Sequence, residues 1–276
     1  MEITDRQFRR ISKLIYERAG INLTEGKKTL VQGRLSKVLH RMGCDSFDEY
    51  LDIVERDRSH QSLTELIDRI ATNHTYFWRE NGHFDYFSRE VLPEIVQHKR
   101  ERGENDLRIW CAGCSFGDEA YTLMMLMMEY FGDSYRNWTA GLLATDISSD
   151  ALSRAIQGVY SADRLRELPR YLLLRYFRKN GDGSYQVAEA VRNEIVFRRF
   201  NLMREIFPFR QPFDVIFCRN VMIYFDKPTR DALVRRFAGF TVPGGYLFIG
   251  HSESIGRNNA AWEYVRPAVY RRVAAG

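Results

Sequence analysis

Residues 107–123 read LRIWCAGCSFGDEAYTL. An apolar run, Leu107–Cys111, gives way to a loop holding Gly113 and Gly117, and acids then open a helix over Asp118–Tyr130. This is a strand–loop–helix unit. The alternation recurs toward the C-terminus. Short apolar runs rich in β-branched and aromatic residues stand at Gly141–Thr145, Ile195–Phe200, Asp214–Cys218 and Tyr246–Gly250, with helical segments such as Thr229–Phe240 between most of them. Continuous apolar strands alternating with helices predict an α/β domain with a parallel sheet. One stretch departs from the pattern. Asn180-Gly181-Asp182-Gly183 is a turn cluster, and the segment at about 176–200 reads as a small antiparallel hairpin inserted in the domain.

Toward the N-terminus, residues 1–75 read as helices only. Thr4 and Gln7 form a capping box before Phe8, Ile11, Leu14, Ile15 and Ala19. A second helix is expected from about Thr24 to Met42, a third follows Ser46, and Leu63, Leu66, Ile67 and Ile70 mark a fourth. The division is thus a helical domain over 1–75 and an α/β domain over 76–276.

Of 276 residues, 45 % are hydrophobic and 28 % charged, so the chain is an ordinary globular one and not a disordered or fibrous one. Four cysteines make no disulfide scaffold, so a reducing compartment is expected. No apolar run reaches the roughly 18 residues of a membrane helix, and the opening MEITDRQFRR has no apolar signal core. A cytoplasmic protein without membrane insertion is expected. The net charge of +5 is unevenly placed: ten Lys or Arg against two acids from Arg6 to Arg41, then eight acids against three arginines from Met42 to Ile70. Arg34, Lys37 and Arg41 recur at helical spacing and share a face. That face is either solvated or a docking surface for an acidic partner or nucleic acid.

Ligands of open α/β sheets sit beyond the carboxyl ends of the strands. There the chain offers a glycine loop without the dinucleotide fingerprint, followed by Asp118 and Glu119, which would repel a pyrophosphate. They suit a ligand with a cation or free hydroxyls. Asp146, at the end of the second strand, is placed to accept from a ribose diol or to cap the next helix. Asn201 and Leu202 offer an amide and a flat apolar contact to adenine. Arg219 and Asn220 end a further strand with Tyr224 just beyond, and Pro243-Gly244-Gly245 reads as the turn into the last one. A nucleoside ligand lacking phosphate, such as S-adenosylmethionine, fits this layout.

NHTYFWRE at 73–80, CSFGDEAY at 114–121, ATDIS at 144–148, FCRNVMIYF at 217–225, GGYLFIGHSES at 244–254 and FRRISKLIYERAGINL at 8–23 together resemble the CheR family, the chemotaxis receptor methyltransferases. The resemblance spans nearly the whole chain. It implies a helical N-terminal receptor-recognition domain and a class I methyltransferase domain carrying a small β-subdomain. The implied activity is methyl transfer from S-adenosylmethionine to glutamate side chains of chemoreceptors, leaving S-adenosylhomocysteine. Carried over by position, the cofactor contacts fall on Asn73, Thr75, Arg79, Glu119, Asp146, Asn201, Leu202, Arg219 and Asn220. Arg79 and Tyr224 fall nearest the transferred methyl. The basic face would meet the methylation helices of a receptor through Arg34, Lys37 and Arg41. Some relatives tether themselves to a receptor C-terminal pentapeptide through the β-subdomain. The loop Arg178 to Val191 is short here, so independence of such a tether is expected, and so is a monomer.

Rival readings exist. Cys111-Ala112-Gly113-Cys114 resembles a thioredoxin-type C-x-x-C, although it coincides with the glycine loop. No second Cys/His pair follows at ligand spacing, and His74, His83, His98 and His251 are scattered, so no metal is expected. A basic methyltransferase could act on another protein or on nucleic acid, but Asn220-Val221-Met222-Ile223-Tyr224 lacks both prolines of the amino-methylase motif. Met124, Met125, Met127 and Met128 are expected to pack in the core.

Overall fold

The computed structural model describes residues 2–256 and 259–273, so the last three residues of the expected α/β range lie outside the described residues. The N-terminal helices are α1 (Asp5–Ala19), α2 (Lys28–Met42), α3 (Phe47–Arg56) and α4 (Gln61–Ile70). The capping box forms: Thr4 accepts from the Gln7 amide while the Gln7 side chain accepts from the Thr4 amide. Gly20 ends α1 at φ 71°, a left-handed conformation that glycine adopts without a side-chain clash. The second helix starts later than Thr24, because Glu25–Lys27, with Gly26 in its middle, forms a 3₁₀ turn and Thr24 makes no side-chain cap. Ile11, Ile15, Val31, Leu35, Phe47, Tyr50, Leu51 and Leu66 close the core of this bundle.

A long helical segment not expected from the sequence follows: α5 (Gly82–Tyr86), a π turn at Phe87–Val91, and α6 (Leu92–Glu101). Pro93 stands in the first turn of α6 and has no N–H to continue a regular ladder. The α/β domain then runs β1 (Asp106–Ala112), α7 (Asp118–Phe131), β2 (Thr139–Asp146), α8 (Ser149–Gln157), β3 (Val159–Tyr160), α9 (Arg170–Tyr176), β4 (Phe177–Lys179), β5 (Tyr185–Val187), α10 (Glu189–Arg192), β6 (Ile195–Arg199), β7 (Phe213–Cys218), α11 (Lys227–Gly239), β8 (Thr241–Ile249), β9 (Trp262–Arg266) and β10 (Val269–Arg272).

The main sheet has the order β6-β2-β1-β7-β8-β10-β9. Its first five strands are parallel, and the β9–β10 hairpin, not foreseen from the sequence, closes one edge antiparallel to β8. Side chains alternate across β1 as the pleat requires. Leu107, Ile109 and Cys111 join α6 and α7 in one core layer, while Trp110 and Ala112 join α11 and a group of phenylalanines in the other. The four methionines follow the first layer: Met124, Met125 and Met127 are buried and Met128 packs against them.

Two expectations are corrected. Pro243-Gly244-Gly245 is no turn but part of β8, where the pairing jumps from Phe213–Thr241 to Val215–Tyr246. Gly245 is needed there because a Cβ would stand 2.7 Å from the Asp214 carbonyl oxygen. The inserted sheet is larger at one end than a hairpin over 176–200 and smaller at the other. Val159–Tyr160 supplies a third strand, in the order β3-β5-β4, and Ile195–Arg199 belongs to the main sheet.

Candidate active site

The carboxyl ends of β1, β2, β6 and β7 open onto a cavity of about 330 Å³. The segment 71–79 and the last turns of α1 and α4 close it from the other side, through Ala19, Ile21 and Ile70. Its volume suits a small organic ligand. Leu202, Phe200, Val221 and Ile147 supply apolar wall, and Gly113 lets Val221 approach, since a Cβ there would lie 2.4 Å from a Val221 methyl.

Asp146 organises the loop after β1. One carboxylate oxygen accepts from the Ser115 amide at 2.8 Å and the other from the Ser148 amide at 2.9 Å. Ser148, not Asp146, caps α8. Burial pushes the Asp146 carboxyl up, against the pull of those amides. Each oxygen can still accept a second bond, so a diol remains a fitting partner. Asn73 accepts from the Ser115 hydroxyl at 3.2 Å, which joins the first motif to the same loop.

The two acids that open α7 separate. Asp118 is fully buried and turned away from the cavity, gripped by Arg164 through contacts of 2.6 to 3.1 Å. It is structural, contrary to the expectation that both acids face a ligand. Glu119 lines the cavity and pairs with Arg219 at 2.9 Å. Burial pushes its carboxyl up, and the Arg219 charge pulls the other way.

Arg219 is buried and shared: one arm also reaches the Arg79 carbonyl and Glu80, at 3.1 Å from the latter. Glu80 in turn accepts from the Asn220 amide group at 3.1 Å. Burial alone would raise Glu80, but Arg219 and Asn220 outweigh it and hold the carboxyl low. Asn220 sits at φ 59°, and the buried carboxylate of Glu253 accepts from the backbone amides of Asn220, Ile223 and Gly250. Glu80 and Glu253 escaped the sequence reading. An acid in a loop looks like solvated surface, and only the cluster of fixed donors around each shows otherwise.

Arg79 differs from Arg219. It donates to the His74 carbonyl at 2.7 Å and has no carboxylate partner among the described residues. The Tyr224 hydroxyl lies 3.5 Å from the Thr72 carbonyl, at the limit of a hydrogen bond. All of Asn73, Thr75, Arg79, Glu119, Asp146, Asn201, Leu202, Arg219, Asn220 and Tyr224 line this one cavity. The amide of Asn201 is less free than expected, because it donates to the Arg18 carbonyl at 2.6 Å and accepts from the Met203 amide. It ties the two domains together.

The thiol rival fails on geometry. Cys111 and Cys114 are free and buried, and burial pushes both thiols well up, opposite to an activated thiolate. The basic face also changes. Arg34 donates to the carbonyls of Ile70 at 2.6 Å and Ala71 at 3.3 Å, closing the end of α4. Arg41 pairs with Glu65, and Lys37 is exposed and makes no hydrogen bond or ion pair with a described residue.

Residues 73–270 match the family described as CheR methyltransferase, SAM binding domain, and residues 6–71 match CheR methyltransferase, all-alpha domain. The chain belongs to the CheR family. A chemotaxis protein methyltransferase of Borreliella burgdorferi is 43 % identical over 99 % of this chain and 96 % of its own length. One of Salmonella typhimurium is 36 % identical over 92 % of this chain and 85 % of its own. The sheet, with helices on both faces, is the class I methyltransferase fold, and S-adenosylmethionine is the cofactor of this CheR domain. The cavity fits such a group on its own chemistry. It joins apolar wall to two carboxylates, Glu119 and Asp146, and to a cation, Arg79, free to meet a carboxylate. No helix of the described residues is long and apolar enough to cross a membrane.

Proposed function

We propose that this protein is a protein-glutamate O-methyltransferase acting on the cytoplasmic methylation helices of chemoreceptors, and that Asn73, Thr75, Arg79, Glu119, Asp146, Asn201, Leu202, Arg219 and Asn220 surround its cofactor. The observation that carries the reading is Arg79, a cavity cation without a carboxylate partner, beside a second cation, Arg219, that is already paired with Glu119. S-adenosylmethionine supplies a methyl carbon on a cationic sulfur. A glutamate has an ordinary pKa near ~4.3, so it enters as the carboxylate and needs no general base. The chain's task is alignment and removal of water. Arg79 orients the incoming carboxylate, and Tyr224, whose hydroxyl is only weakly engaged, hydrogen-bonds beside it.

The test is incubation of the protein and labelled S-adenosylmethionine with chemoreceptor cytoplasmic fragments, other proteins, RNA and DNA. Label that enters a receptor fragment and leaves as methanol in mild alkali supports a glutamyl ester. Stable label in nucleic acid would refute it. Arg79→Ala is expected to abolish transfer with the fold intact, and near-normal turnover would remove Arg79 from its role.

Receptor docking falls chiefly on Lys37, with the exposed part of Arg41 beside it, since Arg34 is committed to α4. Lys37→Glu should weaken receptor methylation and leave S-adenosylhomocysteine binding unchanged. The β4–β5 turn is tight, with Asn180 and Ser184 bonded across it, which supports action without a receptor-tail pentapeptide. The enzyme works as a monomer in the cytoplasm on this reading.

A further inference from the structure

Arg79 stands in an uncommon stretch of backbone. The residues on either side of it, Trp78 at φ 67° and Glu80 at φ 55°, are both left-handed and neither is glycine. Such residues are costly, and they persist only where their surroundings hold them. On the C-terminal side Arg219 and Asn220 grip Glu80. On the N-terminal side the holder is the inserted β-subdomain. The Phe77 amide donates to the Arg164 carbonyl at 3.3 Å. The Phe77 ring is fully buried and meets Tyr160 edge-on at 4.8 Å and Phe177 at 5.5 Å, so β3 and β4 of the small sheet both receive it.

The same corner of the subdomain reaches the glycine loop. The Tyr160 hydroxyl donates to the Phe116 carbonyl at 2.5 Å. A Cβ on Gly117, at φ 89°, would stand 3.1 Å from that hydroxyl, so the loop runs directly against it. The Arg164 guanidinium, bound to Asp118 just after the loop, lies 4.8 Å from the centre of the Phe116 ring. Asn73 and Ser115 tie the two walls of the cavity at one point. The subdomain ties them at a second, and two ties fix an orientation where one leaves a swivel.

We propose that the inserted subdomain is a working part of the cofactor site, with Tyr160 and Phe77 as positioning residues: Tyr160 sets the glycine loop for S-adenosylmethionine, and Phe77 sets the turn that aims Arg79. The role of Phe77 rests on that given to Arg79 above, whereas the role of Tyr160 does not. The subdomain thereby has a task that requires no receptor-tail ligand.

The experiment uses the full chain with Tyr160→Phe and Phe77→Leu, each checked for an intact fold by its melting curve. Tyr160→Phe keeps the ring against Phe77 and removes only the hydroxyl. S-adenosylhomocysteine affinity by calorimetry should fall about tenfold, the scale of one buried hydrogen bond, while kcat at saturating S-adenosylmethionine stays within twofold of the parent. Phe77→Leu loosens the other wall. Its kcat on a chemoreceptor cytoplasmic fragment should fall about tenfold or more, since a small displacement of an orienting group is enough for that, with S-adenosylhomocysteine affinity within threefold of the parent. A merely structural role would not produce this opposite split, because general loosening lowers both quantities together in both variants. Parent-like affinity in Tyr160→Phe together with parent-like kcat in Phe77→Leu overturns the proposal, and so does a parallel loss of both quantities in both variants. If the parent methylates no glutamate in any fragment, the glutamate reading fails, and calorimetry on Tyr160→Phe still decides whether the subdomain serves the cofactor.

Discussion

At the scale of single residues, the site depends on buried charges balanced against one another. Arg219 serves Glu80 and Glu119 together, and Glu80 also holds Asn220. Glu80→Gln keeps the shape and removes one charge, leaving Arg219 with a single acid. Unpairing a buried ion is costly, so a stability loss of about 2 kcal/mol is expected in urea unfolding; an unchanged midpoint would show that Glu119 suffices. His83 is the other informative residue. It is 2 % exposed, neither ring nitrogen makes a hydrogen bond, and its Nδ1 lies 3.5 Å from Glu80. Burial, with Arg219 and His251 nearby, lowers it to about 3. A base depressed in the folded state contributes stability that is complete above its unfolded value and is lost as pH falls toward the folded one. Between pH 7 and pH 5 this site alone should remove about 2 kcal/mol. His83→Phe, which keeps a ring and gives up no hydrogen bond, should flatten that part of the pH–stability curve. An equally steep curve in the variant would place the acid sensitivity elsewhere.

At the scale of elements, glycines separate positions that must stay bare from positions that need not. A Cβ on Gly250 would stand 2.4 Å from the Asn220 side-chain nitrogen and 2.8 Å from its backbone nitrogen. Gly250→Ala should therefore displace the Asn220 turn and weaken S-adenosylhomocysteine binding by tenfold or more, as overpacking against backbone usually costs about 1–3 kcal/mol. Gly33 lies inside α2 with nothing near its Cβ position. Gly33→Ala should stabilise the protein by about 0.5–1 kcal/mol through helix propensity, read as a raised denaturation midpoint. Legibility in the sequence follows the same division. The strand–loop–helix units were readable because buried strands are apolar on both faces and because caps such as Thr4 and Ser46 carry their own signature. The β3 strand was not readable, since two residues have no periodicity, and neither was the β8 bulge, which depends on how Gly245 meets Asp214. The cavity residues were placed through motifs. Their partners, Glu80 and Glu253, were hidden because a charge in a loop says nothing about what surrounds it. Arg34 looked like one of three surface charges, and only the arrival of α4 gives it carbonyls to close.

At the scale of the whole molecule, the cavity belongs to both domains. The Asn22 amide donates to the Tyr224 carbonyl, the Tyr16 hydroxyl to Asp226, the Asn201 amide group to the Arg18 carbonyl, and the Ser149 amide to Asp68. Ala19 and Ile21 from the end of α1 and Ile70 from the end of α4 line the cavity itself. A ligand held there touches both domains and stabilises them jointly. At a concentration 100-fold above its dissociation constant the gain is about 2.7 kcal/mol. If the domains are coupled in this way, S-adenosylhomocysteine should slow amide exchange in the last turns of α1 and α4 as well as in the loop after β1. Asn201→Leu should keep the apolar wall but cut the tie to Arg18, so that exchange in the α1 turn becomes nearly independent of ligand while the loop after β1 stays protected. Protection confined to the α/β domain in the parent protein would mean that the helical domain merely rests on the cavity and takes no share of the binding energy.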